Sequence, residues 1–169
     1  MLQHMTTPTP SGSVPSTRHA KVQLAPPPPA LMKVVNPLVR RILRSRPLGR
    51  RLALQALLEF DGRRSGRHYR TPLCLHDIGG VAMVFTERPW RMNFVSAIPV
   101  TVTQRGQRRS GRGELLDATP LEVGTAMRTA LDNGASAFEL GLKVARGYQP
   151  TIADLSTIGR SLIRIDFAD

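Results

Sequence analysis

Cysteine, aromatic residues, lysine and long apolar runs are all scarce in this chain of 169 residues. The single cysteine, Cys74, can form no internal disulfide, which points to a reducing, cytoplasmic setting. Aromatics make up 5% of the chain, too few for a stacking platform on single-stranded nucleic acid. No recognised nucleic-acid motif is present either, so no specific nucleic-acid partner is expected. No apolar run approaches the roughly 18 residues of a membrane span. The stretch from Met1 to Ala30 lacks the apolar core of a signal peptide. Lysine occurs only at positions 21, 33 and 143, so the net charge of +12 is carried almost wholly by arginine. Such a field favours nucleic acid, anionic lipid or a phosphate-bearing cofactor. The planar guanidinium fork suits phosphate and carboxylate.

Composition divides the chain into three parts. Residues 1–30 are rich in Pro, Ser and Thr and end in the run Pro26 to Pro29, so they read as a disordered tail or spacer. Residues 31–51 read as a basic amphipathic helical segment. Asn36-Pro37 opens it, Leu38, Val39, Ile42 and Leu43 share a face, and Arg40, Arg41 and Arg44 crowd the other. Such a helix either docks on the domain or lies on an anionic membrane surface. From residue 52 to 169 the pattern is that of strands. Ala56 to Phe60, Tyr69 to His76, Val81 to Phe85, Pro99 to Gln104, Arg108 to Leu116 and Ile163 to Phe167 are short apolar or alternating runs separated by Gly-containing turns. In the last run Ile163, Ile165 and Phe167 face one way, Arg164 and Asp166 the other. Thr119-Pro120 caps a helix with Leu121, Met127 and Leu131 on its buried side, and Phe138 to Ala145 reads as a second helix. The class is mainly β with helices (α+β), a small barrel with helices appended.

The sharpest motif is Gly62-Arg63-Arg64-Ser65-Gly66-Arg67, followed by Tyr69, Thr71 and Pro72. Exposed N–H groups in a turn between strands form an anion-binding concavity, and Arg63, Arg64, Arg67 and Arg70 surround it with positive charge. It is no Walker A loop, because the terminal Gly-Lys-Ser/Thr is missing. The string Arg-Arg-Ser-Gly-Arg recurs at 108–112 with unrelated flanks and reads as coincidence in an Arg-rich chain. Trp90 reads equally as a pocket wall or as core, and Tyr148 as a loop residue over a site or as a loop anchor. Cys74 reads as a small core residue. His68, Cys74, His76 and Asp77 lack the second ligand group that would complete a metal site.

The strand ending in Asp-Gly-Arg-Arg-Ser-Gly and followed by Pro-Leu resembles the deazaflavin (coenzyme F420)-dependent nitroreductase family of the flavin/deazaflavin oxidoreductases. The resemblance runs from about Val34 to the final strand. It implies the FMN-binding split β-barrel fold, a homodimer, and hydride transfer from the reduced cofactor to a quinone-, nitro- or enone-like acceptor. It assigns the cofactor phosphate and anionic tail to Arg63, Arg64, Ser65, Gly66 and Arg67. It places the ribityl chain along Tyr69, Thr71 and Pro72, and the ring near Thr86, Glu87 and Trp90. Trp90 and Tyr148 are the residues implied nearest the chemistry. FMN is the alternative cofactor. The segment Thr86 to Trp90 is shorter than the family's Gly- and Lys-rich loop, and Glu87 is negative. These departures motivate a second reading, a non-catalytic lipid- or fatty-acid-binding relative peripheral to the inner membrane.

Overall fold

The computed structural model describes residues 21–24 and 55–168. The basic segment Asn36 to Arg51 and most of the Pro/Ser/Thr tail lie outside the described residues. One piece of the expected tail is a strand, β1 (Val22–Leu24). Seven strands form the main sheet: β2 (Gln55–Asp61), β3 (His68–Cys74), β4 (His76–Ile78), β5 (Val81–Thr86), β6 (Ile98–Gln104), β7 (Gln107–Leu115) and β9 (Ser161–Phe167). Their order is β3-β2-β6-β7-β9-β5-β4, and every pair is antiparallel. The sheet curls until β3 approaches β5. This half-barrel with helices is the mainly β, split-barrel class that the sequence predicts. Among the described residues β8 (Leu142–Val144) pairs only with β1.

Because strand side chains alternate, the sheet buries two different cores. The inner face gathers Ala56, Leu58, Phe60, Val84, Val100, Val102, Ile163 and Ile165. Phe94, from a 3-10 turn at Pro89–Phe94, plugs this core and is fully buried. The other face of β5 and β9 presents Phe85 and Leu162 to a layer built by α1 (Pro120–Asp132) and α2 (Ile152–Ser156). Ile163 and Ile165 face inward and Asp166 is exposed, as the alternation in the last strand predicts.

Thr119 caps α1 as expected: its hydroxyl accepts the Glu122 N–H, and the Glu122 carboxylate accepts the Thr119 N–H at 2.7 Å. Two details of this layer correct the sequence reading. Leu121 is 64% exposed, because it sits in the first turn before α1 meets the sheet; Val123, Met127 and Ala130 supply the buried stripe. Phe138 to Ala145 is not a helix. Ser136 and Glu139 begin a capped turn, but Gly141 at φ +64 ends it after one turn, and β8 follows. The second helix is α2, opened by Thr151, whose hydroxyl accepts the Asp154 N–H.

Two close approaches fix how the layers fit. A Cβ on Gly113 would lie 2.6 Å from the Phe94 ring. A Cβ on Gly124 would lie 2.8 Å from the Ile152 carbonyl, so α1 and α2 meet backbone to backbone. Gly113→Val therefore drives a side chain into the Phe94 plug, and overpacking of this kind costs about 1–3 kcal/mol. Urea unfolding is expected to show a lower midpoint at unchanged slope; an unchanged midpoint refutes the plug.

His76 on β4 is 3% exposed and packs edge-on against Phe85, with ring centroids 5.3 Å apart. Burial lowers its pKa, partly offset by the Glu139 carboxylate. The unfolded chain therefore takes up a proton, near pH 6.5, before the native state does. Stability contributed by neutral His76 is complete above that pH and falls as pH drops through it. Denaturation midpoints at pH 7.5 and 5.5 should differ less in His76→Gln than in the unmodified protein.

Candidate functional site

The Gly62–Arg67 motif is the turn of the β2–β3 hairpin. Gly62 N–H donates to the Arg67 carbonyl and Gly66 N–H to the Gly62 carbonyl, each at 2.8 Å. Gly66 has φ +62, a conformation that favours glycine. Gly62 needs the missing Cβ for a different reason: an added carbon would stand 2.8 Å from the Tyr69 ring and 2.9 Å from the Ser65 hydroxyl. That hydroxyl accepts the Arg67 N–H at 3.3 Å. Asn93 of the 3-10 turn accepts the Arg63 N–H at 3.0 Å. The expectation of a concavity of exposed N–H groups is therefore corrected in part, since those of Gly62, Arg63, Gly66 and Arg67 are already engaged within the protein.

The turn still offers guanidinium groups. Arg63, Arg64 and Arg67 are all exposed, and no ion pair among the described residues involves them. Other arginines are committed: Arg70 to Glu59, Arg128 to Asp132, Arg160 to Glu87, and Arg164 to Glu114 and Asp166. Like charges gathered on one turn repel, and a bound anion relieves that repulsion.

Beneath the turn lies an aromatic cluster. Phe60 stacks on Tyr69 at 5.2 Å, meets Phe94 edge-on at 4.8 Å, and stands 5.8 Å from Trp90. Arg67 lies over the Tyr69 ring at 5.8 Å. Trp90, half-buried, packs on Phe60 and Phe94 and so belongs to the margin of the inner core. Charged turn and aromatic cluster thus meet at one end of the half-barrel.

The remaining residues expected at the site are scattered. Thr71 pairs with Leu58 and shares the inner face with Tyr69, whereas Pro72 pairs with Leu57 and faces the other way. Thr86 is buried, and its hydroxyl accepts the Arg88 N–H at 3.1 Å. Glu87 does not face the cationic turn as a free charge: it lies 2.9 Å from Arg160 and 3.6 Å from Arg88. Arg160 is held by burial and also donates to the carbonyls of Phe85 and Gly141; desolvation lowers its pKa while Glu87 opposes that shift. Arg91 donates to the Glu87 and Arg88 carbonyls and clamps the loop. Tyr148 is in the helical layer, not beside Trp90. Its hydroxyl donates to Asp154 at 2.7 Å, which raises its own pKa and lowers that of Asp154, and Lys21 lies over its ring. The second Arg-Arg-Ser-Gly-Arg string lies on β7, where Arg109 stacks on Phe167 at 3.7 Å, so the two strings share no structure.

Sequence reasoning missed Asn93, Phe60 and Phe94, none of which carries a motif. It also missed Glu59, a carboxylate only 5% exposed with Arg70 at 2.8 Å, Arg108 at 3.7 Å and His68 at 3.9 Å. Its only trace in the sequence is a charged residue inside an apolar run.

No protein-family model matches the chain, and no curated protein does. Among solved structures, one named F420 reductase aligns at 16% identity and TM-score 0.43, covering 77% of this chain and 93% of its own. A second, named a domain-swapped dimer, aligns at 14% identity and TM-score 0.46, covering 80% and 99%. A third, a candidate 5-nitroimidazole antibiotic resistance protein from Bacteroides thetaiotaomicron, aligns at 6% identity and TM-score 0.41, covering 91% and 92%. These names belong to those proteins.

The residues fit the anionic end of the phosphate-bearing cofactor that the sequence resemblance implies, because one turn carries three exposed guanidiniums without ion pairs among the described residues. The residues assigned to its ring are not gathered in the same way: Thr86 is buried and Glu87 is paired with Arg160.

Cys74, half-buried on β3, has its thiol pushed up to about 11 by burial, with Glu139 adding to the shift. It is no nucleophile at neutral pH. Iodoacetamide at pH 7.5 should alkylate it at least about tenfold more slowly than a free thiol, with the difference abolished in urea; equal rates would overturn this assignment.

Proposed function

We propose that this protein is a small oxidoreductase that binds a phosphate-bearing redox cofactor of the deazaflavin type, coenzyme F420, or alternatively FMN. The observation that carries this reading is the set of exposed guanidiniums of Arg63, Arg64 and Arg67 on one turn, without ion pairs among the described residues, with Arg67 over the Tyr69 ring of the aromatic cluster. An anionic tail takes charge-assisted hydrogen bonds from this turn. Once bound, such a cofactor supplies hydride transfer, here to a quinone-, nitro- or enone-like acceptor. The work of the chain is then to bind and orient. Arg63, Arg64 and Arg67 hold the anionic end, Gly66 gives the turn its shape, and the Ser65 hydroxyl braces it through the Arg67 N–H. Tyr69 and Trp90 offer the apolar wall. Thr71 on the inner face extends the line from turn to barrel.

The test is titration of the full chain with coenzyme F420 and, in parallel, with FMN, followed by the cofactor's own fluorescence. Saturable binding is expected, weakened about tenfold by Arg64→Ala, the size of one exposed charge-assisted hydrogen bond. The slope of log affinity against log salt should also become shallower. Absence of saturable binding for either cofactor refutes the reading.

A further inference from the structure

The Arg turn and Trp90 belong to separate segments, and one side chain joins them. Asn93 accepts the Arg63 N–H through Oδ1 at 3.0 Å and donates through Nδ2 to the Trp90 carbonyl at 2.8 Å. The chemistry fixes the orientation of the amide. A backbone N–H can only donate and a carbonyl can only accept, so a flipped amide would set donor against donor and acceptor against acceptor. In a 3-10 turn residues three apart lie one above the other, which puts Asn93 over Trp90 on one side. By the same spacing Met92 and Val95 share another side, and both are exposed, at 51% and 43%.

The two ends of this bridge differ in how they are held. Phe94, the next residue, is locked against Phe60 and leaves no room for a Cβ on Gly113. Trp90 is only half-buried, and its neighbour Pro89 is exposed. On the other side, the bridged N–H belongs to Arg63, whose own guanidinium is one of the exposed cations. An anion that draws the Arg63 side chain pulls on the same residue whose N–H Asn93 holds. On the 3-10 turn Trp90 is the residue free to yield, since Phe94 beside Asn93 is fully buried.

We propose that Asn93 is a positioning residue that couples anion occupancy of the Arg63–Arg67 turn to the setting of Trp90. This rests on the proposal that the turn is an anion site. One amide thus serves both segments: its Oδ1 holds the Arg63 N–H and an Nδ2 hydrogen holds the Trp90 carbonyl. It relays the state of the turn to the aromatic wall against which the rest of a ligand would lie. Anion capture and the shape of the apolar wall then become one event.

Trp90 is the only tryptophan, so emission excited at the red edge of the absorption band, where the two tyrosines hardly absorb, reports on this residue alone. The experiment titrates the full chain with inorganic tripolyphosphate, reading binding by calorimetry and Trp90 by its emission. The unmodified protein, Asn93→Ala and Asn93→Asp are compared, with circular dichroism confirming that each is folded. Asn93→Asp can still accept the Arg63 N–H but cannot donate to the Trp90 carbonyl, so it cuts the bridge at one end and carries the test if the alanine variant is unstable. Calorimetric binding is expected in all three, within about fivefold for Asn93→Ala, the scale of one lost hydrogen bond. A saturable emission change should appear in the unmodified protein and be mostly lost in both variants. If binding occurs and the emission change is absent from the unmodified protein, or survives in the variants, the coupling is refuted while the anion site stands. If calorimetry shows no binding to the unmodified protein, the anion-site reading fails and the coupling fails with it.

Discussion

The contact on which most of this structure depends is Phe94 over Gly113. A phenyl ring can close the inner core only because β7 carries no side chain at that position. Phe94 then provides the surface against which Phe60 packs, Phe60 carries Tyr69, and the ordered rings carry the hairpin turn. A chain with 5% aromatics concentrates four of them in this one place. What looks on the sequence like an absence of stacking residues is, in the fold, a single local investment.

The arginines divide by what they touch. Arg160 and Arg70 are held against the carboxylates of Glu87 and Glu59, both of which are at least partly withdrawn from water; the first pair ties segments distant in sequence and the second braces the β2–β3 hairpin. Removing one partner of such a pair leaves a poorly solvated charge behind, so they hold the architecture in place. Arg63, Arg64 and Arg67 have no such duty among the described residues, and their mutual repulsion is a standing cost on the hairpin. Among the described residues, this turn gathers three arginines that no carboxylate pairs with. That place sits beside the aromatic cluster, not on a featureless surface.

The sequence was most legible where period and punctuation agree. The alternation of Ile163, Ile165 and Phe167 against Arg164 and Asp166 gave the last strand, and Thr119-Pro120 gave the start of α1, because both signals are local. Phe138 to Ala145 misled for a local reason as well: Ser136 and Glu139 make a genuine helix start, and only the positive φ of Gly141 reveals that it stops at once. At the site, the Arg turn was visible as a motif, but its N–H accounting was not, because Asn93 lies 30 residues away. The charge of Glu87 looked misplaced until Arg160 appeared beside it, a pairing that only the return of the chain through β9 creates. Leu121 was misplaced because helical periodicity says which residues share a face, but not where the helix first meets its neighbour.

β9 separates the two cores, and consecutive residues on it belong to different ones: Leu162 faces the helical layer, and Ile163 the inner barrel. It is also inserted between β7 and β5, although it comes after both in the chain. Everything synthesised before residue 161 therefore emerges from the ribosome with a slot in the sheet and with both hydrophobic faces bordering that slot open. The last strand is thus a keystone in the finished fold: one stretch of seven residues completes the sheet and closes both cores.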